Sequence, residues 1–167
     1  MEFKPWPKIT RLENKRATIF TEKIDGTNAC IVIGPNGEFG CQSRTRIITP
    51  DNDNFGFAKW AYANKDELMQ LGEGYHFGEW WGLGIQRGYE QTEKKFSLFN
   101  TRRWHPMNPN TPKCVSVVPI IPVNTVEQAK EYLITNGSIA APGYMNIEGA
   151  IMYEPDTDSM FKIIINK

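Results

Sequence analysis

The chain has 167 residues, enough for one domain with a real core. Its 19 basic and 19 acidic residues cancel, so a fold that grips nucleic acid by bulk charge is excluded and any such contact must come from a local patch. Three cysteines at Cys30, Cys41 and Cys114, with no Cys-x-x-Cys pair, argue for a reducing compartment, against a disulfide framework and against a zinc site. No apolar run is long enough to span a bilayer. MEFKPWPKIT has no apolar signal-peptide core, so the expectation is a cytoplasmic protein.

In chain order, Ala17–Lys23 reads as a strand. Asn28–Ile33 and Glu38–Ser43 read as a hairpin joined by Gly34-Pro35-Asn36-Gly37. Phe55–Leu71 carries Phe57, Trp60, Ala61, Leu68 and Leu71 at near-helical spacing and predicts one helix. Strands are expected at Tyr75–Trp81 and Lys95–Asn100, then a Pro- and Asn-rich loop at Thr101–Pro112, then a strand at Val115–Ile121. Thr125–Thr135 predicts a second helix, stopped by Gly137. Gly149–Tyr153 and Met160–Ile165 close the series as strands. Hairpin-joined strands with two inserted helices imply an α+β fold built on antiparallel sheets, in a single domain spanning 1–167.

The sequence Lys23-Ile24-Asp25-Gly26-Thr27-Asn28 interrupts an otherwise buried strand pattern. Residues two apart on a strand share a face, so Lys23 and Asp25 would face the same way. Gly26 sits where the backbone must turn or let a ligand approach closely. An amine beside a carboxylate at a sheet edge can be a lysine nucleophile. On this stretch alone, an exposed ion pair entering a turn is the simpler reading. Basic residues also bunch at Arg44–Arg46 and from Arg87 through Lys94, Lys95, Arg102 and Arg103, as either a solvated face or a local anion-binding patch.

Further motifs follow in order: Ser43-Arg44-Thr45-Arg46, Phe77-Gly78-Glu79-Trp80-Trp81-Gly82, Phe96-Ser97-Leu98-Phe99-Asn100, Glu148-Gly149-Ala150-Ile151 and Phe161-Lys162-Ile163. This ordered set resembles the motifs of the covalent nucleotidyltransferases, the polynucleotide ligases and mRNA capping enzymes. Thr27-Asn28 after Asp-Gly, and Gln86-Arg87-Gly88-Tyr89 after Gly-Glu-Trp-Trp-Gly, look most like the RNA ligase branch, including phage enzymes. The resemblance implies an ATP-grasp-like ligase adenylation fold. It also implies ATP as substrate, a Mg²⁺ or Mn²⁺ cofactor and a lysyl-AMP intermediate on Lys23.

By the same resemblance, Asp25 orients the amine and Lys162 neutralises phosphate charge. Glu79 holds the ribose, Phe99 stacks on adenine with Phe96 as competitor, and Glu148 reaches the metal. Arg44 meets ribose or phosphate with Arg46 as understudy, and Glu22, Gly26 and Asn28 line the nucleotide. RNA ends are the expected partner, ahead of DNA ends. His76 and His105 read as ordinary polar residues, and Trp60, Trp80 and Trp104 as packing residues.

Two departures stand out. The family's last motif has a second lysine two residues on, where this chain has Ile164, and Lys167 would need a bend to substitute. The chain also ends five residues after Lys162, with room for neither an OB-fold nor another C-terminal domain, and the expectation is a minimal nucleotidyltransferase, a piece of a longer protein or an enzyme that depends on a separate partner. A DNA ligase or capping-type enzyme and a non-catalytic nucleotide- or RNA-end-binding domain are the rival readings.

Overall fold

The computed structural model describes residues 1–167 except Thr10 and Pro106; Pro106 falls in the expected loop at 101–112 and lies outside the description. Two antiparallel-dominated sheets form the body. Strands β1 (Ile19–Lys23), β8 (Ile120–Ile121), β9 (Gly149–Glu154) and β10 (Ser159–Ile164) form a four-stranded sheet in the order β10-β9-β1-β8. Strands β2 (Thr27–Ile33), β3 (Phe39–Ser43), β4 (Ile47–Ile48), β5 (Gly74–Gly82), β6 (Lys94–Leu98) and β7 (Ser116–Val117) form a six-stranded sheet in the order β4-β3-β2-β5-β6-β7. Among the described residues only β6 and β7 pair in parallel.

Helix α1 (Phe57–Ala63) packs Phe57 and Ala61 under the six-stranded sheet with Ile31, Trp80, Phe96 and Leu98. Helix α3 (Val126–Asn136) covers one face of the four-stranded sheet, burying Ala129 and Leu133 against Phe20, Ile121, Ala150 and Ile163. Thr125 caps it, its hydroxyl accepting from the Gln128 amide, and Gly137 at φ 74° ends it. A third cluster of Ile24, Trp81, Tyr89, Val118 and Ala141 joins the two sheets.

Two expected elements are divided. The helix expected over 55–71 breaks at Asn64 into α1, α2 (Lys65–Leu68) and a 3-10 turn (Met69–Leu71). The Asn64 side chain donates to the Trp60 carbonyl, the local competition that makes asparagine a poor interior helix residue. The strand expected over 115–121 is β7 and β8 in different sheets. Pro119 between them has no N–H to donate, and its carbonyl accepts from the Glu22 amide. This segment therefore carries the chain from one sheet to the other. The strand expected over 95–100 runs from Lys94 to Leu98, and the Phe99 amide still donates to the Phe77 carbonyl of β5 just beyond it.

Candidate active site

The site lies where β1 ends. Phe20 and Glu22 point toward α3, so alternation turns Thr21 and Lys23 to the uncovered face. Cross-strand register puts Lys23 in one row with Gly149 and Ile164, and Thr21 in the next row with Ile151 and Lys162. Lys23 and Lys162 thus share a face but start two strands apart, about 10 Å at ordinary strand spacing. Lys162 is exposed.

The carboxylate that holds the Lys23 amine is Glu148, with Nζ donating to Oε2 at 2.8 Å. Both side chains are mostly shielded from water, 27% and 19% exposed. The expectation that Asp25 orients the amine is corrected. Because β1 stops at Lys23, Asp25 lies in the following loop, where its carboxylate pairs with Arg87 Nε at 3.2 Å. The Asp25 amide donates to the Tyr89 hydroxyl at 2.8 Å. Desolvation, then the charge of Glu148, raises the Asp25 pKa against the opposing pull of Arg87 and Lys23.

Glu79 comes up from β5 beneath this loop, 8% exposed, and its Oε2 accepts from the Gly26 amide at 2.9 Å. Burial pushes its carboxyl up to about 7. A side chain on Gly26 would strike the Trp80 carbonyl and come within 2.7 Å of Trp81 Cβ. The glycine is therefore demanded first by how closely the loop lies on β5.

A shallow cavity of about 250 Å³ opens on the uncovered face of the six-stranded sheet, lined by Asn28, Cys30, Gln42, Arg44, Phe77 and Phe99 among others. Asn28, which lines the cavity, pairs across with Glu79, whose carboxylate accepts from the Gly26 amide of the loop after β1. Phe99 is 44% exposed at the cavity, whereas Phe96 is 1% exposed in the core, which removes Phe96 as a stacking candidate. Phe77, 54% exposed, is a second aromatic wall that sequence reasoning did not single out, although strand alternation from Glu79 signals it. Arg46 donates to the carbonyls of Asn52 and Asp53 and is committed to that turn, so it is no understudy for Arg44.

Glu22, expected to line the nucleotide, is not among the residues lining this cavity. Its side chain is 1% exposed and points to the α3 side, where it accepts from Ser138 Oγ at 2.7 Å and from the amides of Ile139 and Ala140 at 2.7 and 2.9 Å. No sequence signal marks residues 138–140 as its partners. After β10 the chain does bend. Ile165 and Asn166 both donate their amides to the Glu148 carbonyl, and Lys167 is exposed beyond them. His76 is buried, bonded to the Gly72 carbonyl and edge-on to Trp104, in keeping with a packing role.

No cluster of three or more His, Cys, Asp or Glu that could hold a metal occurs among the described residues. Glu148 still suits a hard divalent ion such as Mg²⁺ or Mn²⁺, which binds through one or two carboxylates and takes its other ligands from water and phosphate oxygens. All three cysteines are free thiols. No helix among the described residues is long and apolar enough to cross a membrane.

Two antiparallel sheets meeting where β1 ends at Lys23, with few helices, match the nucleotidyltransferase fold of the ligase type. The RNA ligase family model matches residues 16–164, nearly the whole chain, and the protein belongs to that family. Solved structures of Naegleria gruberi RNA ligase share the fold. One variant with ATP and Mn has a TM-score of 0.66 at 23% identity over 92% of this chain and 51% of that one. Another variant with ATP and Mn gives 0.63 at 24% identity over 91% and 50%. The enzyme with PPi gives 0.63 at 22% over 91% and 50%. The chain spans about half the length of these ligases. No curated protein shows significant sequence similarity.

Proposed function

We propose that the chain is the adenylating domain of an ATP-dependent RNA ligase, with Lys23 as the nucleophile. The observation that carries this reading is the Lys23–Glu148 pair at 2.8 Å, formed between the family's Lys-x-Asp-Gly and Glu-Gly motifs. The Lys23 ammonium first loses a proton, and the neutral amine then attacks the α-phosphorus of ATP. A P–N bond forms, the P–O bond to pyrophosphate breaks, and the amine gives up a proton. Glu148 is the carboxylate within hydrogen-bond reach of that proton. Arg44 and Glu79 hold the ribose and adjoining phosphate, Asn28 meets phosphate, and Phe99 stacks on the adenine. Lys162 offsets charge growing on the α-phosphate. Glu148 would also hold Mg²⁺ or Mn²⁺, which supplies positive charge to the phosphate oxygens. The Naegleria ligase complexes with ATP or AMP and Mn support these substrate and metal assignments.

In the two later steps a 5′-phosphate oxygen of an RNA end attacks the lysyl-AMP phosphorus and frees Lys23. A 3′-hydroxyl then attacks the activated 5′-phosphate and releases AMP. Family membership supports RNA ends over DNA ends.

The test is incubation with α-labelled ATP and Mg²⁺ or Mn²⁺, followed by a denaturing gel. Wild type should retain label and Lys23→Ala should not. An unlabelled wild type would overturn the enzyme reading, and label persisting in Lys23→Ala would overturn the choice of nucleophile.

A further inference from the structure

Arg87 and Asn166 touch neither the cavity nor the Lys23 amine, yet their hydrogen bonds close a ring around it. The Arg87 side chain is 13% exposed, and its guanidinium reaches three separate stretches of chain. Nε meets the Asp25 carboxylate at 3.2 Å, one terminal nitrogen donates to the Asn146 carbonyl at 3.1 Å, and the other donates to the Asn166 carbonyl at 2.6 Å. Asn166 completes the circuit. Its side-chain amide donates to the Ile147 carbonyl at 2.7 Å, and its backbone amide, with that of Ile165, donates to the carbonyl of Glu148. Glu148 in turn holds Lys23, two residues before Asp25.

We infer that Arg87 and Asn166 are positioning residues that set Glu148 against Lys23, and that the bend at residues 165–166 is part of the active-site frame. This inference rests on the adenylation reading proposed above. The physical reason is geometric. Glu148 lies one residue before β9, and its carbonyl accepts from Ile165, the residue opposite it in the β9–β10 register, and from Asn166 one residue on. The second of these donors, Asn166, extends the hold past the strand pairing, and Asn166 is itself held by the guanidinium. A planar fork with several fixed donors can serve three acceptors at once, which a lysine ammonium on a flexible stem cannot. The bend also gives the chain after Ile164 a task that a second motif lysine would not perform.

The strain in the loop agrees with a fixed position for Arg87. Gln86, Tyr89 and Glu90 all have positive φ, at 47°, 53° and 56°, an unfavourable conformation for residues other than glycine. The Tyr89 hydroxyl then binds the Asp25 amide, so the same loop grips the lysine motif twice.

The experiment compares wild type with Arg87→Ala, Arg87→Lys, Asn166→Ala and the Arg87→Ala/Asn166→Ala double variant. Single-turnover lysyl-AMP formation, ATP affinity and the thermal midpoint are measured for each. Loss of residues that orient such a site costs about 10–100-fold. Each single variant should slow lysyl-AMP formation by about that factor while ATP affinity changes less than about threefold. Arg87→Lys should fail to rescue, and the double variant should be little slower than the worse single one, since both act on one ring. Rates near wild type, full rescue by lysine, or an equal loss of ATP affinity would overturn the inference. Hydrogen exchange at the Ile165 and Asn166 amides gives a readout independent of activity. Faster exchange in Arg87→Ala supports the ring even if wild type forms no lysyl-AMP, in which case the adenylation reading alone fails. Unchanged exchange removes the ring itself.

Discussion

Replacing Glu22 tests whether its carboxylate is a structural clamp or a nucleotide ligand. In the fold it accepts from one hydroxyl and two backbone amides on residues 138–140, and all three donors come from more than 100 positions away in sequence. Ala141, next in that segment, packs with Ile24 in the cluster that joins the sheets. Glu22→Ala strips the acceptor from all three donors. The Ser138 hydroxyl can rotate to another partner, so the two amides dominate, and with about 1–3 kcal/mol for each donor left unpaired the loss is about 3 kcal/mol. In a domain of this size that lowers the melting midpoint by about 6–12 °C. Glu22→Gln keeps one carbonyl oxygen for the amides and turns its NH₂ toward the Ser138 oxygen, so it should lose about 1 kcal/mol. Urea unfolding with linear extrapolation measures both. A loss under about 1 kcal/mol for alanine, or equal losses for the two variants, would refute the clamp. A nucleotide ligand would show the opposite pattern, with stability kept and the KM for ATP raised.

Two further outcomes follow from burial. Phe99→Ala should leave stability within about 0.5 kcal/mol, because the ring stands at the cavity, while raising the KM for ATP about tenfold through lost stacking. Phe96→Ala should instead cost about 3–5 kcal/mol by opening a core cavity, and calorimetry with adenylation kinetics separates the two. Glu79 gives a pH dependence. Burial raises its carboxyl from 4.5 to about 7, so between those values the folded protein holds a proton that the unfolded chain releases. Its contribution is most favourable below about pH 4.5 and declines as pH rises to about 7, by no more than about 3 kcal/mol. Relative to Glu79→Gln, wild type should lose stability between pH 5 and pH 8 in urea melts, and parallel curves would overturn the assignment.

What could be read from the sequence is what local chemistry encodes. Alternation placed most strands within a residue or two, the Gly34–Gly37 turn marked its hairpin, and Thr125 and Gly137 bounded α3. The ordered motifs marked Lys23, Glu79 and Glu148, which the fold brings to one region from the end of β1, the interior of β5 and the residue before β9. Arg44 and Phe99, marked by the same motifs, both line the cavity.

Tertiary structure decided which carboxylate serves which partner. Lys23 and Asp25 are two apart, yet the amine went to Glu148 and Asp25 went to Arg87, because β1 ends between them. Glu22 and Lys23 are adjacent, and alternation sent one to the α3 side and the other to the open face. The split of one apolar run at Pro119 depends on which sheet each half can pair with. The ring through Arg87 and Asn166 closes over 79 residues of chain. Periodicity reports only which side of an element is apolar; the partner of a buried polar group is chosen by whatever distant segment folds against it, and that choice exists only once the sheets have come together.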